Sequence, residues 1–305
     1  MAILNGLLRK MSGSAGDLTF KTLNGLTVVS EKVTKMTNPR SDAQMRVRTR
    51  WSNVVAMYSG VRPLLRHGFE NKPAGLSDYN MFVKVNMQRT PIYLTKQAVA
   101  GGACVATAYQ ISQGSLPAIV VTGTGQNGVT DILLGSLSIT NATTVAQFAK
   151  AVVDNNPTYQ YGDQITFFMV KQYVNAVTSL PYVVVSSAKV VLDAASDEKL
   201  VDVTGSSHGF ASIDGKIGHS GNDGDCAYTW VHSRKSSGKL LVSSQSLLAA
   251  NTKLAEYQGE MAYSLARTSY GITDDVYLSP SGEANGEAGG DDNGGGNGGG
   301  GNDTL

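Results

Sequence analysis

Hydrophobic side chains recur at helical spacing along the stretch from Ser41 to Asn86. Ser41 and Gln44 have the spacing of a capping box, so a helix should begin near Asp42, and Pro63 should end it near Gly60 to Arg62. Six apolar residues then lie on one stripe of that helix, which we expect to be buried against a hairpin, a second helix or a neighbouring subunit: Val47, Trp51, Val54, Val55, Tyr58 and Val61.

A second, shorter helix is predicted to start at Ser77. Serine is a favourable N-cap residue, and Asp78 places a negative charge in the first turn, where the helix dipole favours it. The apolar stripe of this helix consists of Tyr79, Phe82, Val83 and Met87. We expect the two helices to form a helical hairpin.

Strand patterns lie on both sides of this helical hairpin. Leu18 and Phe20 precede the turn signal Asn24-Gly25, and Val28 and Val29 follow it, which predicts a β-hairpin. From about Ala103 onward, short runs rich in Val, Ile, Tyr and Phe alternate with turn residues and predict strands. Two helices interrupt these strands, at 144–155 and 254–269, the second with its stripe at Leu254, Tyr257, Met261 and Leu265.

This order of elements predicts an α+β fold. An N-terminal β-hairpin and the helical hairpin should form an assembly domain over residues 1–98, followed by a β-rich, sandwich-like domain with two helices over 99–272. Residues 273–305 are rich in glycine and acidic residues, which is typical of a flexible tail. Tyr277 and Leu278, close to that tail, are candidates for docking on a neighbour.

Charge is distributed unevenly along the chain. Residues 1–100 hold 15 Lys and Arg against 5 Asp and Glu, whereas residues 201–305 hold 6 against 13. Arg46 and Arg50 share one face of the first helix, with Arg48 at its flank. These arginines should meet acidic groups of a partner or nucleic-acid phosphates, although a solvated basic face is an equally ordinary explanation. Nucleic acid is the less favoured partner, because the acidic C-terminal third offers the same charge complementarity.

The sequence offers little for catalysis or for cofactor binding. The glycines from Gly123 to Gly128 fit a dinucleotide motif, but a strand follows them where a helix is required. The polar stretch from His208 to Cys226 matches no metal signature and is expected to be a long surface loop, and no nucleophile-elbow motif is present. Cys104 and Cys226 are expected to be reduced and buried. We therefore predict no enzyme activity, no metal and no cofactor.

Three segments of the N-terminal third carry a resemblance. They read MAILNGLLRKMSGSAGDLTFKTLNGLTVV, TNPRSDAQMRVRTRWSNVVAMYSG and AGLSDYNMFVKVN. They resemble an uncharacterised family of Bacteroidetes and their tailed phages, whose pattern is matched here by Asn38, Pro39, Ser41, Gln44 and Arg48, and then by Gly75, Asn80 and Phe82. The rest of the chain, including YQYGDQITFF and VHSRKSSGKLLVSSQ, resembles ring-type tail proteins of crAss-like bacteriophages.

The resemblance implies a structural virion protein, assembled in the host cytoplasm and located in the phage tail. Its partners would be further copies of itself in a ring, and the portal or neighbouring tail rings. No apolar run approaches the ~20 residues that cross a bilayer, so no membrane association is expected. The alternative is a binding module, either a bacterial surface adhesin or a nucleic-acid-associated cargo protein.

The residues expected at the interface come from the helical hairpin and the end of the chain. They are Arg46, Arg48, Arg50, Trp51, Val55, Tyr58, Tyr79, Phe82, Tyr277 and Leu278.

Overall fold

A computed structural model describes residues 2–4, 12–23, 26–33, 41–63, 65, 68–73, 75–89, 91–123, 127–205 and 209–271. These residues fall into two compact units, one within residues 2–41 and the other beginning at Asp42. The predicted α+β class is confirmed, because helices accompany several antiparallel sheets. No helix within the described ranges has the length and apolarity needed to cross a bilayer.

The first unit is a four-stranded antiparallel sheet in the order β1-β4-β3-β2. Its strands are β1 (Ala2–Leu4), β2 (Gly13–Ala15), β3 (Leu18–Leu23) and β4 (Leu26–Glu31). Leu23 pairs with Leu26, so β3 and β4 form the predicted hairpin with a two-residue connection. Among the side chains of this unit whose burial is described, Thr27 alone is buried. The side chains of this sheet whose burial is described therefore form no core among themselves.

The second unit opens with helices α1 (Asp42–Val61), α2 (Asp78–Asn86) and α3 (Lys96–Ala100). The bounds of α1 agree with the prediction at both ends. The predicted cap of α2 is also confirmed, because the Ser77 hydroxyl accepts a hydrogen bond from the backbone N–H of Asn80 at 3.2 Å. The helices then lead into the strand-rich part of the chain.

Within its described residues, the strand-rich part carries three sheets and three further α-helices. The sheet orders are β10-β11-β7-β6, β13-β12-β8-β9 with β15 joined to β12, and β14-β5. The strands are β5 (Gln110–Ser112), β6 (Val121–Thr122), β7 (Val129–Leu133), β8 (Gln164–Val174), β9 (Pro181–Val191), β10 (Ala211–Ile213), β11 (Lys216–Gly218), β12 (Cys226–Ser236), β13 (Lys239–Val242), β14 (Gln245–Ser246) and β15 (Leu248–Ala250). The helices are α4 (Val145–Asn155), α5 (Leu200–Thr204) and, after a 3₁₀ turn at Leu254–Tyr257, α6 (Gly259–Ser269).

The long strand β8 is buried on both faces. Phe167 and Met169 point into a core formed with α4 and the sheet of β7, whereas Phe168 and Val170 point into a core formed with α1 and α2. A strand alternates its side chains between the two faces of a sheet, so burial on both sides requires a continuous apolar run such as FFMV at 167–170. The two layers around this sheet make the body sandwich-like, and the helical hairpin shares a core with the strands.

Two local predictions have different outcomes. The glycine-rich segment connects β6 to β7, which pair antiparallel, so the chain forms a strand where a dinucleotide-binding loop needs a helix. The surface-loop prediction for the stretch before Cys226 is wrong, because β10 and β11 form a hairpin there and His219 is fully buried. His208 lies outside the described residues. Both cysteines are free and buried, as predicted.

Candidate assembly interface

Helix α1 has apolar residues on two sides. Its buried side faces the core of the unit and is formed by Met45, Thr49, Asn53, Val54, Met57 and Val61. The predicted stripe is therefore wrong in its first half, since Val47 is 44% exposed and Trp51 is 41% exposed. Farther along, Val54 and Val61 are buried as expected, and Val55 and Tyr58 are half-buried.

The length of α2 explains why only part of this stripe is covered. Tyr58 packs against Tyr79 and Phe82 of α2, with ring centroids 5.1 and 5.5 Å apart. At ~1.5 Å per residue, the 20 residues of α1 span about 30 Å and the nine residues of α2 about 14 Å. The shorter helix packs on Tyr58 in the C-terminal half of the stripe, whereas Val47 and Trp51 in the N-terminal half are exposed.

Phe82 needs a correction as an interface candidate. Its side chain is fully buried, at 5.9 Å between ring centroids from Tyr109. A ring enclosed by both helices and by Tyr109 cannot contact another molecule without opening the core. Tyr79 is half-buried at the edge of the same aromatic group. Tyr277 and Leu278 lie outside the described residues.

Helix α6 also has an apolar outer side. Tyr263 and Ala266 are buried, whereas Met261 is 87% exposed and Leu265 is 65% exposed. The predicted stripe of this helix is wrong for Met261 and Leu265, because the unit buries the side of α6 that carries Tyr263 and Ala266. Met261 and Leu265 are four residues apart and therefore adjacent on the surface of the helix, which makes them a candidate contact surface.

Arg46 joins α6 to α1 within the chain. Its guanidinium donates to both carboxylate oxygens of Glu260, at 2.8 and 2.9 Å, and its Nε donates to Asp42 at 2.9 Å. The guanidinium carbon also lies 4.3 Å from the ring centroid of Tyr263, a cation–π contact. Hydrogen bonds from Tyr263 and then Arg46 lower the pKa of Asp42, and the bond from Arg46 lowers the pKa of Glu260. This arginine therefore meets acidic groups, but those of its own chain.

The other two arginines occupy different environments. Arg48 lies on the exposed side of α1, beside Val47. Arg50 is half-buried, and its Nε finds no hydrogen-bond partner within the described ranges. The three side chains therefore do not form one continuous basic surface. This arrangement weakens the case for phosphate binding along α1, which needs several cations on a common face.

A buried polar group in the strand-rich part has a structural explanation. Asp163 is fully buried and accepts hydrogen bonds from Arg234, from His232 at 2.8 Å and from the backbone N–H of Gln160. Burial raises the pKa of Asp163, but these hydrogen bonds outweigh it and leave the pKa below its usual range. The carboxylate therefore joins β12 to the start of β8.

A second polar group joins β8 to the segment between β11 and β12. Lys171 forms an ion pair with Asp223, whose other carboxylate oxygen is 3.1 Å from Nε2 of His219. His219 stacks on Phe167, with ring centroids 5.6 Å apart. Nowhere in the described part of the chain do three His, Cys, Asp or Glu side chains group as metal ligands would.

Periodicity alone missed Val47, Met261 and Leu265 as surface residues. Each belongs to a stripe with correct helical spacing, and that spacing says only that residues share a side of the helix. A second signal was present in α1, where Met45 and Met57 lie off the stripe. A helix with apolar residues on more than one side cannot bury all of them against a single core, so some of these residues remain at the surface.

Comparison with known proteins identifies no relative. No family model matches this chain, and no curated protein or solved structure matches it. The resemblance to phage tail ring proteins therefore stays a prediction.

Proposed function

We propose that this protein is a structural subunit of a tailed-phage virion, which assembles with further copies of itself into a ring of the tail or portal-proximal region. The observation that carries the proposal is the pair of exposed apolar stripes, Val47 and Trp51 on α1 and Met261 and Leu265 on α6. Covering such side chains removes apolar area from water, at about 25 cal/mol per Å². A homo-oligomer covers them in every copy.

The N-terminal sheet supports the same proposal. None of the four hydrophobic clusters of the described residues includes a residue of this unit. Leu18 is 46% exposed, and Phe20 and Val29 on the same face are half-buried. A small sheet needs a second layer to be stable, and a neighbouring subunit or another virion protein would supply that layer.

Light scattering and electron-microscopy class averages of the purified protein test the proposal. We expect a closed oligomer at micromolar concentration, and immunolabelling of phage particles should place the protein in the tail. A protein that remains monomeric at every concentration and is absent from particles would contradict the proposal.

A titration with DNA at two salt concentrations separates the proposal from the binding-module alternative. A nucleic-acid-associated protein should show an affinity that falls steeply as the salt concentration rises. The ring proposal expects weak binding to DNA, because Arg46 is already neutralised by Asp42 and Glu260.

A further inference from the structure

The two exposed stripes lie on opposite sides of the α1–α6 pair. Helix α6 meets α1 through Glu260, Tyr263 and Arg267, which lie on one side of α6. At ~100° per residue, Met261 and Leu265 project from the side of α6 turned away from α1.

The same reasoning applies to α1. This helix meets α6 through Asp42 and Arg46, and Met45 packs in one cluster with Tyr263. Val47 and Trp51 lie roughly 100° or more around the helix from these residues, turned away from α6. The helix pair therefore carries one apolar stripe on each of its outer sides.

Resting on the proposed function, we propose that the α6 stripe of one copy, Met261 and Leu265, packs against the α1 stripe of the next copy, Val47 and Trp51. Two different surfaces on opposite sides of a subunit form a heterologous, head-to-tail contact, and repetition of such a contact gives a ring when the rotation between copies closes and an open filament when it does not. A face that paired with itself would stop at a dimer.

The two stripes match in geometry and in charge. Each stripe is a pair at positions i and i+4, and ridges of this spacing interdigitate when two helices cross at about −50°. Arg48 lies beside Val47, and after Asp42 the sequence of α1 contains no carboxylate. On α6 and its preceding 3₁₀ turn, the exposed charged side chains are those of Glu256 and Glu260, whereas the side chain of Arg267 is only 14% exposed. A second copy is therefore the occupant that each stripe fits.

Cysteine cross-linking between copies tests this contact. The two native thiols should not take part in cross-linking, because Cys104 is 5% exposed and Cys226 is fully buried. Burial also raises the pKa of Cys104 to about 12 and of Cys226 to about 11, which keeps both thiols protonated and unreactive. We expect a mixture of the Val47→Cys protein and the Leu265→Cys protein to form a disulfide-linked dimer under mild oxidation. The double variant should form a ladder of covalent oligomers that ends at the number of subunits in the ring.

A control variant distinguishes the contact from random collision. Val177 is 92% exposed in the turn between β8 and β9, so Val177→Cys is accessible but lies outside both stripes. A mixture of Val47→Cys with Val177→Cys should remain at least tenfold less cross-linked than the mixture with Leu265→Cys. Equal yields in the two mixtures would overturn the contact.

Light scattering on the same samples shows which proposal fails. An oligomer that forms without the cross-link between positions 47 and 265 would overturn this contact and leave the proposed function standing. A monomer at every concentration would overturn both. A Leu265→Asp variant that keeps the wild-type melting temperature and loses the oligomer would support the contact, and one that still assembles would contradict it.

Discussion

The two tryptophans of the chain provide a direct test of the interface. Trp51 is 41% exposed on α1, whereas Trp230 is fully buried and donates a hydrogen bond from Nε1 to the carbonyl oxygen of Gly209 at 2.6 Å. The same substitution, Trp→Ala, should therefore affect a different property at each position. At Trp51 it should weaken assembly, and at Trp230 it should weaken the fold.

The magnitudes follow from these environments. Trp230→Ala leaves a cavity in the core and should lower the free energy of unfolding by about 3–5 kcal/mol. Trp51→Ala changes a partly exposed site and should lower it by about 1 kcal/mol or less. A tryptophan at the centre of an interface contributes about 2–4 kcal/mol to binding, so Trp51→Ala should weaken subunit association roughly 30- to 1,000-fold.

Urea denaturation of dilute protein measures the free energy of unfolding, and sedimentation velocity over a range of concentrations measures the affinity of subunit association. Trp230→Phe keeps most of the ring volume and replaces Trp230→Ala if the alanine variant does not fold. The reasoning is refuted if Trp51→Ala destabilises the dilute protein as much as the core substitution does. It is also refuted if the variant assembles with wild-type affinity.

Three further predictions concern interactions within the chain. Arg46→Met removes the hydrogen bonds of Arg46 to Glu260 and Asp42 and should therefore accelerate hydrogen exchange of the backbone amides of α6, residues 259–269. Lys150→Met removes an exposed ion pair with Asp154 within α4, and it should leave the exchange of α6 unchanged. Burial lowers the pKa of His232, and the net pKa of Asp163 is also lowered, so both groups stabilise the fold above their unfolded pKa values and stop doing so as the pH falls. The free energy of unfolding should therefore begin to fall below about pH 6.5 and fall again below about pH 4. His232→Gln should reduce the first of these decreases, and Asp163→Asn should reduce the second. A free energy of unfolding that stays constant down to pH 3 would contradict this assignment. Ellman's reagent should modify neither Cys104 nor Cys226 in the native protein and both in urea, and rapid labelling of the native protein would show that the thiols are accessible.

Local signals in the sequence were sufficient for many elements of the fold. The cap at Ser77, the Pro63 that follows α1 and the alternation around Asn24-Gly25 act over a few residues, and the corresponding elements begin and end where these signals predict. The continuous apolar run of β8 likewise indicated a strand. These features are readable because turn chemistry, capping and strand periodicity depend on neighbours in sequence.

Contacts between elements distant in sequence determined which side of each helix is buried. The sequence correctly indicated that Val47, Trp51, Met261 and Leu265 lie on helical stripes, but not which side of each helix the chain buries. That depended on the short length of α2, on the bond between Arg46 and Glu260, 214 residues apart in sequence, and on the packing of Tyr263 against Tyr93. Helical periodicity shows which residues share a side of a helix. Burial depends on which other element packs against that side, and only the tertiary structure contains this information.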